Sequence, residues 1–181
     1  MHALAHCPSP ATPELLVSAF RDAMRRIASS VTLVTTRDAQ GTPHGMAASA
    51  VIPVSMDPPS ILVAVNRSSG LHPTLSAEGR FCVNLLADAH HPLLGAFSQS
   101  ARRAERFASD EWGDGSDPLP LLASAPAAVS CEVDQQLDYG THTLFIGKVV
   151  DVRLACERGE PLVWFDGAGA ALTPRTAVTA A

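Results

Sequence analysis

Six or seven short apolar runs, separated by turn residues and joined by few helical stretches, constrain this chain more than any other feature. The runs are SVTLVTT (30–36), the segment 44–51 containing GMAASA, SILVAVN (60–66), RFCVNLL (80–86), AAVSCEVDQQ (127–136), HTLFIGKVVDVRL (142–154) and PLVWF (161–165). Most are rich in branched residues and bounded by Gly, Pro, Asn or Asp, which is the pattern of a strand. RDAQGTP turns the first run back and predicts a hairpin with 44–51. A doubly wound parallel sheet needs a helix between successive strands, and too few helical stretches are present. The pattern therefore predicts a mainly β fold with peripheral α, a closed or Greek-key barrel.

Helical signals are confined to a few places. Thr12-Pro13-Glu14 offers a hydroxyl cap, a proline at the first position and an acid near the positive end. Leu15, Leu16, Ala19, Phe20, Ala23, Met24 and Ile27 follow at helical spacing, so one apolar face is expected to pack on the sheet. Asp88 is expected to cap a short helix reaching Phe97, with a further helical turn over 101–107. The stretch 109–126 carries Gly113, Gly115, Pro118, Pro120 and Pro126 and reads as an extended surface loop. Residues 1–11 and 173–181 read as flexible tails, leaving one domain over 12–172.

Composition removes several function classes. The net charge of −5 offers no electrostatic attraction to nucleic acid or to an anionic membrane. No apolar run reaches membrane-spanning length, and the N-terminus lacks a basic segment followed by an apolar one, so a cytoplasmic setting is expected. The four cysteines form no CxxC pair and have no histidine at zinc-finger spacing, and the rings of His90 and His91 diverge on a helix, so no metal site is expected. Cys82 and Cys131 sit in apolar runs and read as buried, inert thiols. There is no glycine-rich dinucleotide fingerprint, no phosphate loop and no GxSxG elbow.

What remains is a set of small and hydroxylic residues beside strands: Ser49, Ser55, Asn66, Ser68 and Ser69. GMAASA puts almost no bulk on a strand, which lets something flat come close, either another backbone or a ligand. NRSSGLHP is read two ways, as an ordinary polar turn opening a helix or as donors to a phosphate.

In order along the chain, FRDAM, VTLVTT, GTPHGMAASAV, VSMDPPSILVAVNRSS, GRFCVNLL, ERFASDEW, GTHTLFIGKVVDV and PLVWFDG resemble the flavin reductase family of short split-barrel proteins. The resemblance spans about 18–172 and lies nearest the reductases of 4-hydroxyphenylacetate hydroxylase and of pyrimidine utilisation. It implies an antiparallel six-stranded Greek-key barrel, a homodimer, that binds FMN or FAD without a covalent bond. NADH or NADPH would give a hydride from nicotinamide C4 to flavin N5, and the reduced flavin would pass to a partner monooxygenase. The rival reading is a flavin-binding split-barrel module without turnover. A weaker third is an oxidase of the pyridoxamine-phosphate type.

By the same resemblance, Met46, Ala47, Ala48 and Ser49 lie along the flavin ring, and Asn66, Arg67, Ser68 and Ser69 hold its ribityl and phosphate end. Asn84 and Phe107 are further cofactor-binding candidates, and His142 lines the nicotinamide pocket as a positioning group. One departure stands out. Where the family commonly carries Arg and an aromatic after PLVWFDG, this chain has Ala168-Gly169-Ala170-Ala171 following Gly167.

Overall fold

The computed structural model describes residues 12–114, 118–157 and 159–172, so the tails expected at 1–11 and 173–181 lie outside the described residues. In chain order the elements are α1 (Pro13–Arg25), β1 (Ser29–Ser30), β2 (Thr32–Arg37), β3 (Pro43–Ala48), β4 (Val51–Met56), β5 (Pro59–Asn66), α2 (His72–Glu78) and β6 (Arg80–Leu85). After a 3-10 turn (Asp88–Leu93) come α3 (Leu94–Ser98) and a second 3-10 turn (Ser100–Glu105). They are followed by β7 (Trp112–Asp114), β8 (Pro120–Leu122), β9 (Ala127–Tyr139), β10 (His142–Leu154), β11 (Val163–Phe165) and β12 (Ala168–Ala170).

The main sheet is antiparallel and ordered β3-β2-β6-β9-β10-β5-β4. Its two edge strands are consecutive in the chain, joined only by Ser49 and Ala50. The sheet therefore curls until its edges meet, and one face of nearly every strand turns inward. Val34, Val63, Val65, Phe81, Val83 and Phe145 converge there on a single core, closed at one end by Leu71 and Leu75. Period-two alternation produces this: Thr143 and Phe145 of β10 are buried while His142 and Leu144, which alternate with them, are not. Cys82 and Cys131 are both buried, and burial pushes their thiols up to about 11 and about 12.

Several expectations change. The main sheet has seven strands rather than six. The single run 44–51 breaks at Ser49-Ala50, and a further strand, β4, takes up residues 51–56. Pro53 in β4 is tolerated because this strand is an edge, with one side free of ladder bonds. The run at 161–165 does not join the main sheet; β11 pairs instead with β1 and β12. The 109–126 stretch is not a surface loop throughout, since β8 pairs with β7 and Leu119, Leu121 and Leu122 are buried. Asp88 caps nothing with its side chain, and its amide donates to the Glu160 carbonyl at 2.8 Å.

Helix α1 starts as expected, with the Thr12 hydroxyl accepting from the Leu15 amide at 3.3 Å. Its apolar face does not pack on the sheet, for no α1 residue is buried and Leu16, Phe20 and Met24 are exposed. Periodicity identifies a helix and its apolar stripe but not what covers that stripe. The helix is held by its last turn, where Arg25 bonds the 166–167 turn between β11 and β12. No described helix is long and apolar enough to cross a membrane.

Candidate functional site

Strand β3 is an edge of the sheet, so its backbone is open on one side. A groove runs along it. Its middle is an apolar slot of about 170 Å³ bordered by Val31, Ala47, Ala48, Ser49, Leu94 and Trp164. Through Ala47 and Ser98 the slot continues into a polar end of about 370 Å³, where Met46, Asn66, Ser68, Ser69, Arg103 and Arg106 meet.

The small residues of GMAASA divide by task. Gly45 serves the protein, because a Cβ there would stand 2.7 Å from the Phe97 ring. Ala47, Ala48 and Ser49 border the slot, where bulk would close it. Phe97 in turn meets Phe107 edge-on, with ring centroids 5.4 Å apart, and Trp112 backs both rings. A rigid aromatic wall thus stands behind the polar end.

The turn after β5 is held by its own side chains. Asn66 Oδ1 accepts from the Ser68 amide and the Ser68 hydroxyl, both at 2.9 Å. The Ser69 hydroxyl reaches Met46 Sδ at 3.5 Å and accepts from the Leu71 amide at 3.3 Å. These bonds aim two serines into the polar end without any phosphate loop.

The cations there are not the one expected. Arg67 turns away, donating to the Gly140 carbonyl at 2.5 Å and facing Asp138 at 3.5 Å. Arg106 takes its place. Only 8% exposed, it donates to the carbonyls of Ala96 (2.8 Å), Gly45 (2.6 Å) and Gln99 (3.3 Å). It has no carboxylate partner among the described residues, and burial, followed by the nearby Arg103 charge, pulls its pKa below the usual arginine range. Arg103 lies against Gly70 with no charged partner among the described residues. A buried, uncompensated positive charge beside a free one favours a bound anion. The signal was in the sequence: ARRAERF is the densest cationic group of an acidic chain.

Of the other candidates, Met46 to Ser49 and Asn66, Ser68 and Ser69 come together in the groove. Asn84 does not. Fully buried, it donates to the Leu33 carbonyl (3.3 Å) and Thr35 hydroxyl (3.2 Å) and accepts from the Leu122 amide (2.8 Å), tying β2 and β6 to β8. Phe107 belongs to the aromatic wall. His142 is the cross-strand partner of Asn66 and shares a hydrogen bond with the Thr141 hydroxyl at 3.0 Å, but it lines neither cavity. Trp164 borders the slot and its neighbour Phe165 does not. His90 is a structural histidine: its Nδ1 accepts from the Ala87 amide, Nε2 lies 3.1 Å from the Ser124 hydroxyl, and burial lowers its pKa.

A curled antiparallel sheet with an apolar slot on one edge, and arginines and serines gathered at its end, offers the surfaces that a flat, phosphorylated cofactor needs. Sequence comparison narrows the class. Residues 24–173 match the flavin reductase like domain, and the chain belongs to that family. It is 40% identical over 151 residues to the FMN reductase (NADH) RutF of Pseudomonas syringae, covering 80% of this chain and 84% of that protein. It is 38% identical over 165 residues to the reductase component of an FADH2-dependent resorcinol hydroxylase from a Rhizobium species, covering 90% of each. BorF, the flavin reductase component of a bacterial two-component tryptophan halogenase, superposes with a TM-score of 0.79 at 28% identity, covering 88% of this chain and 99% of its own.

Proposed function

We propose that this chain is an NAD(P)H-dependent flavin reductase that supplies reduced FMN or FAD to a separate monooxygenase. The observation that carries the reading is Arg106, a buried cation without a carboxylate partner among the described residues, at the end of a groove floored by Ala47 and Ala48. A flavin mononucleotide needs an apolar slot for its ring and cationic and hydroxyl donors for its phosphate, and the residues present fit both needs. Bound flavin supplies N5 as the acceptor for a hydride from nicotinamide C4.

The protein binds, orients and keeps water out. Arg103 and Arg106 hold the phosphate with Ser68 and Ser69, and Asn66 keeps Ser68 in place. Met46, Ala47 and Ala48 lie along the ring, the Ser49 hydroxyl donates to its edge, and Val31, Leu94 and Trp164 exclude water from it. Arg67 braces the Asn66 turn against the β9–β10 hairpin. Asn84 and Phe107 support the groove from behind. Under this reading His142, next to Asn66 across the strands and outside both cavities, keeps the task of positioning the nicotinamide. Holding the two partners in register supplies much of the acceleration.

The working form is a cytoplasmic homodimer of Greek-key split barrels, each formed by residues 12–172. In support, α1 presents Leu16, Phe20 and Met24, and the outer sheet face presents Ile52 and Leu137, all exposed in one chain. The hydroxylase and halogenase relatives are each reductase components, which supports an oxygenase as recipient. The test is NADH and NADPH oxidation by purified protein with FMN or FAD. Oxidation well above that of free flavin is expected, and a flavin-loaded protein that consumes neither nucleotide refutes the reading.

A further inference from the structure

The turn that presents Ser68 and Ser69 is anchored on both flanks, and both anchors lead to one carboxylate. Ahead of Ser68, the Arg67 amide donates to the Thr141 carbonyl at 2.9 Å. The Arg67 guanidinium donates to the Gly140 carbonyl at 2.5 Å and stands 3.5 Å from Asp138 Oδ2. Beyond Ser69, His72 Nε2 lies 2.8 Å from the Thr143 hydroxyl, which in turn donates to Asp138 Oδ1 at 2.5 Å. Each oxygen of Asp138 thus takes one flank.

Chemistry fixes the order of protons in this chain. An ionised carboxylate only accepts, and the single proton of the Thr143 hydroxyl goes to Asp138. Thr143 must then accept from His72, which makes the neutral ring the Nε2–H tautomer. The Thr143 bond, and after it the Arg67 charge, lower the pKa of Asp138, so the acceptor stays ionised. The His72 ring is also braced edge-on by Phe145, with centroids 5.8 Å apart. Thr143 is 2% exposed and needs partners in any fold, but that need does not account for Asp138. The Asp138 side chain is 64% exposed and borders an open cleft of about 430 Å³ with His72, Ser76, Gln136 and Leu137. Water in that cleft would serve a buried hydroxyl equally well, and Asp138 fills no core space. What the carboxylate does alone is join the two flanks of the turn.

Resting on the flavin reductase reading, we infer that Asp138 is a positioning residue for the flavin phosphate, acting through Arg67 on one side of Ser68-Ser69 and through Thr143 and His72 on the other. It borders neither cavity of the groove, so it acts only through where those two hydroxyls point. Ser68, Ser69 and Gly70 lie outside any helix or strand and carry almost no bulk, so packing does little to fix them. Donors already held in the bound geometry spare the ligand the cost of ordering them. Tying both flanks to the β9–β10 hairpin supplies that order from outside the turn, beside the bonds Asn66 makes within it.

The test titrates the full chain with FMN and with riboflavin, which has the same ring and ribityl chain but no phosphate. Asp138→Ala is expected to weaken FMN about tenfold while riboflavin binds as in the wild type. Thr143→Val releases one flank only and is expected to weaken FMN about threefold, and Thr143→Ser, which keeps the hydroxyl, to bind like the wild type. Combining Asp138→Ala with Thr143→Val should be no worse than Asp138→Ala alone, because one carboxylate serves both flanks. Asp134→Ala is the control, since that carboxylate pairs with Lys148 at 2.5 Å on the same hairpin and should leave both flavins unchanged. An Asp138→Ala that leaves FMN unchanged, or weakens both flavins equally, overturns the inference while the reductase stands, and so do additive effects in the double variant. A wild type that binds riboflavin as tightly as FMN overturns the phosphate placement on which the inference rests.

Discussion

Replacing Arg103 by alanine is expected to weaken FMN binding between about tenfold and a hundredfold while leaving riboflavin binding and thermal stability unchanged. The size follows from its surroundings. Arg103 is exposed, lies against Gly70 at the polar end and has no charged partner among the described residues. Its removal leaves no partner unsatisfied, so stability should move by no more than about 0.5 kcal/mol. A hydrogen bond between a charged pair contributes about 1.5–3 kcal/mol, and each 1.4 kcal/mol or so is about tenfold in Kd. Solvent and salt weaken the exposed charge, so the loss should shrink as ionic strength rises. Arg102 is the control, because its guanidinium is already paired with Glu105 at 2.6 Å. Quenching of flavin fluorescence, titrated with FMN and with riboflavin at low and high salt, reads the effect. Equal loss for both flavins, or an Arg102→Ala as harmful as Arg103→Ala, would refute the assignment of the phosphate to this end.

Ala47→Phe is expected to fill the 170 Å³ slot and abolish flavin binding in the same titration while the circular-dichroism spectrum stays that of the wild type. His142→Ala should raise KM for NADH about fivefold with flavin affinity unchanged; equal loss of both would remove it from a positioning role. Asn84→Ala leaves the Leu122 amide and the Thr35 hydroxyl without this partner and should cost about 3 kcal/mol in urea unfolding. Cys82 and Cys131 carry thiols raised from 9.0 to about 11 and about 12, so the unfolded chain ionises first. Their contribution to stability is whole below pH 9 and falls as pH rises toward those values. A Cys82→Ala, Cys131→Ala double variant should therefore lose midpoint less steeply than wild type across that range in thermal melts.

How far the sequence carried the fold depended on whether the deciding contact was local. The β2–β3 hairpin and the start of α1 were readable because Gly41 and Thr12 act on their immediate neighbours. The seventh strand was missed because Ser49-Ala50 has no strong turn residue, and only the tertiary pairing, β3 with β2 and β4 with β5 at opposite edges of the sheet, breaks the run there. Glycine and proline counts made 109–126 look like loop, yet Leu119, Leu121 and Leu122 are buried and Asn84 fixes β8 from a distant strand. That bond joins positions 38 residues apart, which no local window sees.

The site divides in the same way. Small residues on a strand and a self-bonded Asn66–Ser69 turn are local features, so their gathering along one groove was legible. Charge placement was not. Arg67 stands next to two site serines in sequence, but the β9–β10 hairpin offers it the Gly140 carbonyl and Asp138, and a cation goes where its partners are. Arg106 is remote in sequence from Gly45, yet it bonds that carbonyl and those of Ala96 and Gln99, which leaves its charge with three neutral acceptors and no carboxylate among the described residues. Such an arrangement is stable on its own through hydrogen bonds while still favouring an anion from outside. The proposed assignment therefore gives Arg106 two tasks, building the groove and binding the ligand, and makes Arg103, which builds nothing, the residue whose loss would separate binding from folding.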